Sequence, residues 1–400
     1  MKCRICDHTE LNSVIDLGQH PWANNFIRPE DVHLEKLYPL HLVYCPVCQC
    51  AQLNYTVPKE TMFSDHTYVS GTTLTLCHHF KETAELMDTQ FFRNTPHKSI
   101  LDIGSNDGTQ LKQYQTLGYD VLGVESCRRV AEIAIANGVP TVIDFFNQET
   151  AETLGRKFDL VNASGVFFHL EELHSVAEGI RHCLDQNGVF VAQFLYMKSI
   201  MDNLAFDQIY HEHLLYYTIK TISRLLAYHQ LEPFDAYFSP IHGGSIVLMS
   251  GHKGRHQRTQ CFNDLVNEEE QSKVNDFASY QAFAARIYEK KTLILAYLEK
   301  AKSEGLRIYG LGAPVKGNTL LNYFRIGTNL LSCLTEKNAL RKGLVSPGMH
   351  IPIVLEDDIV DPPDVYFVLA WNFLPEIIAR NAPLIQRGVQ FYSPITGAVH

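Results

Sequence analysis

The run ILDIGSNDG, residues 100–108, limits what this chain can fold into more than any other segment. An apolar strand ends in Asp102; Gly104 and Gly108 then bracket a polar turn that leads into the helical stretch TQLKQYQTLG. Glycine is needed there because the backbone must turn tightly and let a ligand approach with no side chain between. About twenty residues on, a second strand, VLGVES, ends in Glu125, where a carboxylate can accept hydrogen bonds from both hydroxyls of a ribose. Short apolar segments (SILDIG, DVLGVE, FDLVNAS, GVFVAQF) keep alternating with helical ones (RRVAEIAIANG, LHSVAEGIRHCLDQNG) to about residue 250. That alternation predicts an α/β fold built of parallel β-α-β units, with a Rossmann-like sheet covered on both faces.

The spacing within the turn separates two ligands. DxGxxxG lacks the GxGxxG spacing that seats a pyrophosphate on a helix N-terminus, whereas an acidic residue ahead of the first glycine suits the cationic amino acid end of S-adenosyl-L-methionine. The expectation is a class I methyl-donor domain whose site includes Asp102, Gly104, Asn106, Asp107, Gly108 and Glu125. Phe145 and Phe146 are candidates to flank the adenine, and Asn162, Ala163 and Ser164, at the end of a third strand, to line the pocket. His169 follows them; a lone histidine at an element end is more often structural than catalytic.

Four hundred residues exceed one ordinary core. The expected division is a small module over 1–65, a methyl-donor domain over 66–254, a helical connector over 255–304 and a smaller Rossmann-like α/β domain over 305–400. With 46% hydrophobic and 20% charged residues the chain has ample core material. A formal charge of -10 without a basic block argues against a nucleic-acid partner. No signal peptide or membrane span is legible, so a cytoplasmic protein is expected.

Residues 1–65 hold only short apolar runs, and a core this thin needs a staple. Cys3 with Cys6, and Cys45 with Cys48, form two CxxC pairs. Thiolates at i and i+3 can face one metal from a tight knuckle, and two knuckles supply the four tetrahedral ligands of a structural Zn²⁺ with no open position. Cys50 could replace Cys48, with His8 and His20 as weaker substitutes; redox-active dithiols are the bland alternative.

FDQIYHEHLLYYT, residues 206–218, is the densest collection of ionisable and aromatic groups. Histidine titrates near neutral pH, a carboxylate can raise its basicity, and Tyr210 can hydrogen-bond a developing oxyanion; HxH as a metal-ligand pair is the rival reading. Further on, YGLGAPVKGNTLL offers a glycine-rich turn with Lys316 and Asn318 for a phosphate. HGGS offers another glycine turn beside His242, a further candidate to contact substrate, and WNF at 371–373 reads as core.

Taken together these motifs resemble one family along nearly the whole chain, the three-domain, zinc-containing C-methyltransferases of nucleotide-linked 4-keto-deoxyhexoses. The resemblance rests on CRIC, DLGQHPWANNF, YPLHLVYCPVCQCAQL and SDHTYVSGTT, then DIGSNDG and YHEH, then GLGAPVKGNTLLNY, PGMHIPI and FVLAWNF. It implies methylation, usually at C-3, of a nucleotide sugar whose C-4 ketone makes the neighbouring proton removable. Tyr68 matches the family's active-site tyrosine after the zinc domain, and Tyr210, Glu212 and His213 match its Tyr-x-Glu-His cluster, with His211 in the variable position. On that footing His213 removes the proton, Glu212 orients or assists it, and Tyr68 and Tyr210 stabilise the enolate oxygen. The chain departs from the family's pattern in LTEKNALRKG and in FFHLEEL. An O- or N-methyltransferase on another polar metabolite, or a non-catalytic binding protein of the same fold, is the alternative.

Overall fold

A computed structural model describes every residue except 65, 67 and 73. Near the N-terminus an antiparallel sheet is formed by β1 (Asn12–Pro21), β2 (Leu37–Tyr44) and β3 (Ala51–Leu53). The two CxxC segments are knuckles of one design. Asp7 and Gln49, each just after the second cysteine of its pair, take φ of 58° and 66°, and their N–H groups donate back to the carbonyls of Cys3 and Cys45. One knuckle precedes β1 and the other joins β2 to β3, so the hairpin carries both to the same end.

The central sheet uses β4 (Ser99–Ile103), β5 (Asp120–Glu125), β6 (Thr141–Ile143), β7 (Phe158–Ser164) and β8 (Leu184–Leu195) as parallel strands. The next strand, β9 (Leu215–Tyr216), leaves this sheet and pairs with β3, so the N-terminal sheet is completed from a point some 160 residues downstream. The chain then returns through β10 (Leu231–Ser239) and β11 (Ser245–His252), which are antiparallel, giving the order β10-β11-β8-β7-β4-β5-β6. Ile100, Leu101, Leu160, Val161, Phe190 and Val191 are fully buried in adjacent pairs, as expected of strands covered on both faces. Strand order reverses between β4 and β7, and ligands of such sheets bind outside the carboxyl ends of the strands at that crevice.

Helices Gln260–Ser272 and Phe277–Ser303 follow. The second buries Tyr280, Phe283, Ile287, Ile294 and Leu298, three, four and seven residues apart, which is one helix face. The chain ends in a second parallel sheet of β12 (Ile308–Leu311), β13 (Leu334–Glu336), β14 (Ile353–Leu355), β15 (Val365–Val368) and β16 (Gln390–Tyr392), ordered β14-β13-β12-β15-β16. One continuous apolar core joins all three parts, from Ile5 and Leu17 through Phe194 and Leu225 to Phe283, Leu321 and Phe367. No helix among the described residues is long and apolar enough to cross a membrane.

Candidate active site

A cavity of about 260 Å³ opens at the carboxyl end of the central sheet, at the strand-order reversal. Its sheet side comes from Gly104 and Asn106 after β4, Glu125 and Ser126 at the end of β5, Phe145 and Phe146 beyond β6, Ser164 after β7 and Gln193 on β8. Its other side comes from outside the sheet: Asn24, the segment carrying Lys59, His66 and Tyr68, and His169, Glu212 and His242.

On the sheet side the backbone does what the sequence requires. Gly104 has φ 68°, and a Cβ there would lie 2.5 Å from a methyl of Val166, so only glycine keeps the turn against the β7 loop. Glu125 is 5% exposed, and its two carboxylate oxygens accept from Cys127 N at 2.7 Å and Asn106 N at 3.0 Å. This fixes the carboxylate while each oxygen keeps a lone pair for a ligand hydroxyl. Several residues expected at the donor site sit behind this wall. Asp102 is buried and accepts from the Asn162 amide at 2.6 Å, and burial lifts its carboxyl to about 7; Asn162 and Ala163 are wholly buried. Gly108 starts helix Thr109–Thr116 with φ 76°, and Asp107 caps that helix by accepting from Thr109 N. These residues shape the turn, while Gly104, Asn106, Glu125, Phe145, Phe146 and Ser164 line the cavity itself.

The opposite wall gathers Tyr210, Glu212 and His213 around one bend. Glu212 lines the cavity and accepts from the indole N–H of Trp22 at 2.6 Å. Burial raises its carboxyl to about 7, with the indole pulling the other way. His213 lies just behind, under Tyr210 at a ring-centroid distance of 3.9 Å and edge-on to Phe168 at 4.7 Å. Its Nδ1 donates to the Gln208 carbonyl at 2.8 Å, which leaves the lone pair on Nε2. Burial, with a second buried imidazole, His169, beside it, holds it well below the usual imidazole range, so it is neutral. No hydrogen bond joins Glu212 to His213 among the described residues; Glu212 is linked instead to His169, whose Nδ1 donates to the Glu212 carbonyl at 2.5 Å. His169 lines the cavity, and burial brings it down to about 4. Tyr210 is not on the cavity wall, and burial keeps its hydroxyl protonated. Tyr68 is on the wall and half exposed.

Sequence reasoning did not single out Trp22, Asn24, Lys59, His66 or Gln193. Lys59 pairs with Glu172 at 2.6 Å and lies over the Phe145 ring. Gln193 is held by the ring of His79 at 2.6 Å. The only sequence signal for any of them was the WANN run and the polar stretch after the second knuckle, and neither has a spacing that names a partner.

Of the residues expected to hold substrate, His242 lines the cavity with φ 58° in the turn before β11. Asn318 is buried, and its amide donates to the Ala23 carbonyl at 2.7 Å, tying the C-terminal domain to the N-terminal module. Lys316 is buried with its ammonium 3.7 Å from the Trp371 ring. Burial lowers it to about 8 against the pull of Asp207, whose carboxylate accepts from the Trp371 indole at 2.6 Å. Trp371 therefore belongs to a polar contact between domains and, against the expectation for WNF, not to the core: it is only partly buried and Phe373 is exposed.

The four cysteine sulfurs of the knuckles lie within 4.8 Å of one another. Cys3 and Cys48 approach to 3.3 Å and Cys6 and Cys45 to 3.5 Å, close to the roughly 3.8 Å edge of a tetrahedron with about 2.3 Å arms. Cys50 is outside the cluster, buried, with its thiol toward the Ala51 carbonyl. Four sulfurs and no water-facing donor fit a structural Zn²⁺, and the module binds one.

The doubly wound sheet, the glycine turn with Glu125 and the four-cysteine cluster define an S-adenosyl-L-methionine-dependent methyltransferase with a zinc-binding N-terminal module. Three family models match in succession: a zinc binding domain over residues 3–63, a methyltransferase domain over 77–234 and a C-methyltransferase C-terminal domain over 240–396. Together the three models take in nearly the whole chain. It is 28% identical over 400 residues to the C-methyltransferase NovU of Streptomyces niveus, covering 98% of this chain and 95% of that protein. Among solved structures it is similar to the glycopeptide N-methyltransferase MtfA complexed with S-adenosyl-L-methionine (11% identity, 43% of this chain, 93% of that one, TM-score 0.35). The magnesium protoporphyrin IX methyltransferase of Synechocystis PCC 6803 with bound S-adenosylhomocysteine is similar to the same degree (12%, 48% and 93%, TM-score 0.35).

Proposed function

We propose that this C-methyltransferase deprotonates and methylates C-3 of a nucleotide-linked 4-keto-deoxyhexose. The observation that carries the reading is that one cavity joins Glu125, the expected ribose carboxylate, to Tyr68, Glu212 and His169 on the facing wall. The sugar identity rests on the sequence resemblance. A carbon acceptor needs a base and a donor to the developing oxyanion: Tyr68 and Glu212 are on this wall, and His213 and Tyr210 stand just behind it.

S-adenosyl-L-methionine, when bound, supplies an electrophilic methyl group on a sulfonium sulfur. Gly104, Asn106, Glu125, Phe145, Phe146 and Ser164 would hold it. The C-3 proton leaves to Nε2 of His213, the C–H electron pair moves into the ketone, and the Tyr68 hydroxyl on the wall donates to the resulting enolate oxygen, while Tyr210, packed on the His213 ring, supports the base from behind. Glu212 and its charge offset the imidazolium formed beside it. His242, on the same wall, meets the sugar, and Lys316 presents positive charge from behind it toward the diphosphate. A positioned base of this kind contributes about 10² to 10⁴ in rate.

Two measurements test this. Incubation with labelled donor and a panel of dTDP-, GDP- and CDP-linked 4-keto-6-deoxyhexoses should place the label on a carbon beside the ketone; label on oxygen or nitrogen overturns the assignment. His213→Asn should stop both methylation and solvent exchange of the C-3 proton, and normal exchange in that variant removes His213 from the role of base.

A further inference from the structure

The polar residues of the glycine turn face two ways. The Asn106 backbone N–H is bonded to Glu125, but its side chain turns to the loop that carries Tyr68: Oδ1 accepts from Ser70 N at 2.8 Å and Nδ2 donates to the Tyr68 carbonyl at 3.3 Å. Asp107 is 7% exposed and is not on the cavity wall, and its Oδ2 accepts from Gly71 N at 3.0 Å. The loop comes so close that a Cβ on Gly71 would lie 2.6 Å from Thr109 Oγ1 and 2.7 Å from Asp107 Oδ2. Upstream the same loop is held by Arg129, which donates to the His66 carbonyl from the helix after β5.

We infer that Asn106 and Asp107 are positioning residues for Tyr68, so that the turn which shapes the donor site also sets the tyrosine over the cavity. Tyr68 is half exposed and lies outside all three sheets, and these bonds tie its backbone and that of Ser70 and Gly71 to the β4 turn. The two carboxyl-end turns of the donor sheet are thereby the floor on which the facing wall is registered. The part Tyr68 plays in the reaction rests on the reading proposed above; the anchoring of its loop does not.

The test uses the full-length zinc-loaded protein. Asn106→Gly removes both side-chain bonds while tolerating the φ of 51° at that position; Asn106→Asp restores the acceptor for Ser70. Gly71→Ala attacks the same contact from the loop. In Asn106→Gly and Gly71→Ala, hydrogen exchange at the Ser70 and Gly71 amides should quicken about tenfold or more, as for locally opened segments; in Gly71→Ala, which alters no residue of the donor surface, S-adenosylhomocysteine affinity should change less than about threefold. Exchange in Asn106→Asp should return toward the parent rate at Ser70. The kcat for methyl transfer should fall in Asn106→Gly, and in a Tyr68→Phe background the same change should cause no further loss, the non-additivity of residues acting as one unit. Unchanged amide exchange, or equal losses of kcat in both backgrounds together with a matching loss of S-adenosylhomocysteine affinity, overturns the inference. If Tyr68→Phe keeps full activity, the reading of Tyr68 fails, and the exchange rates alone still decide whether the loop is anchored by Asn106.

Discussion

Two glutamates face the same cavity and are built in opposite ways. Glu125 ends a strand, and both its oxygens are taken up by backbone N–H groups within its own β-α turns. Glu212 sits in a bend outside any sheet, and among the described residues its carboxylate has one hydrogen-bond partner, the Trp22 indole, 190 residues away in the zinc module. The first arrangement makes a permanently oriented acceptor, suited to binding. The second leaves a buried carboxylate short of donors, so its charged form is penalised and its carboxyl rises to about 7. A group of that kind is suited to proton chemistry near neutrality.

The largest effect should come from removing the metal. Structural Zn²⁺ binding is worth about 10 to 16 kcal/mol in zinc-finger peptides, and the module it staples supplies Trp22 and Asn24 to the Glu212 side. Stripping zinc, or Cys45→Ser, should abolish methyl transfer while S-adenosylhomocysteine affinity, read by calorimetry, stays within about tenfold. Loss of both together would show that the two sides of the cavity are not separable.

Exchanging the glutamates tests the contrast more directly. Glu212→Gln keeps the shape and removes the charge, and should lower kcat by about 10² to 10⁴ with donor affinity unchanged. Glu125→Ala should do the reverse, weakening S-adenosylhomocysteine about 10- to 100-fold, the range of hydrogen bonds to a charged group. If Glu125→Ala cuts kcat with donor saturating, or Glu212→Gln weakens the donor, the division into a binding and a reacting carboxylate is wrong.

The same contrast explains what the sequence revealed. Glu125 was legible because everything that fixes it is local: a strand period, a glycine turn and an acid a set distance on. The zinc ligands were legible for the same reason, each pair being a knuckle of i and i+3, and Cys50 was an ambiguity that needed the hairpin register to resolve. Glu212 stood out only as part of an ionisable run, and its indole partner carries no local mark. Nor could periodicity show that Leu215–Tyr216 closes the N-terminal sheet, or that the Asn318 amide is spent on Ala23. Those contacts depend on packing the three parts on one core. His169 illustrates the limit: the sequence left it between structural and catalytic, and the fold shows it lining the cavity with its ring tied to the Glu212 backbone.

The smallest effect, and the one that reads the comparison most finely, belongs to Trp22→Phe. The indole N–H donates to the Glu212 carboxylate, which favours the charged form and lowers its pKa; removing the donor raises it further. His213 is neutral through the working range because its own pKa lies well below 6.5, so of this pair it is Glu212 that titrates near neutrality. If its negative charge is needed to offset the imidazolium, kcat is low when Glu212 is protonated and rises with pH through about 7. In Trp22→Phe this rise should move upward by about one unit, equivalent to about 1.4 kcal/mol, so the variant is several-fold slower at pH 7 and equal to the parent at pH 9. Two unshifted profiles would mean that the indole only packs against Glu212, and a profile that falls through pH 7 would mean that the protonated carboxyl is the active form.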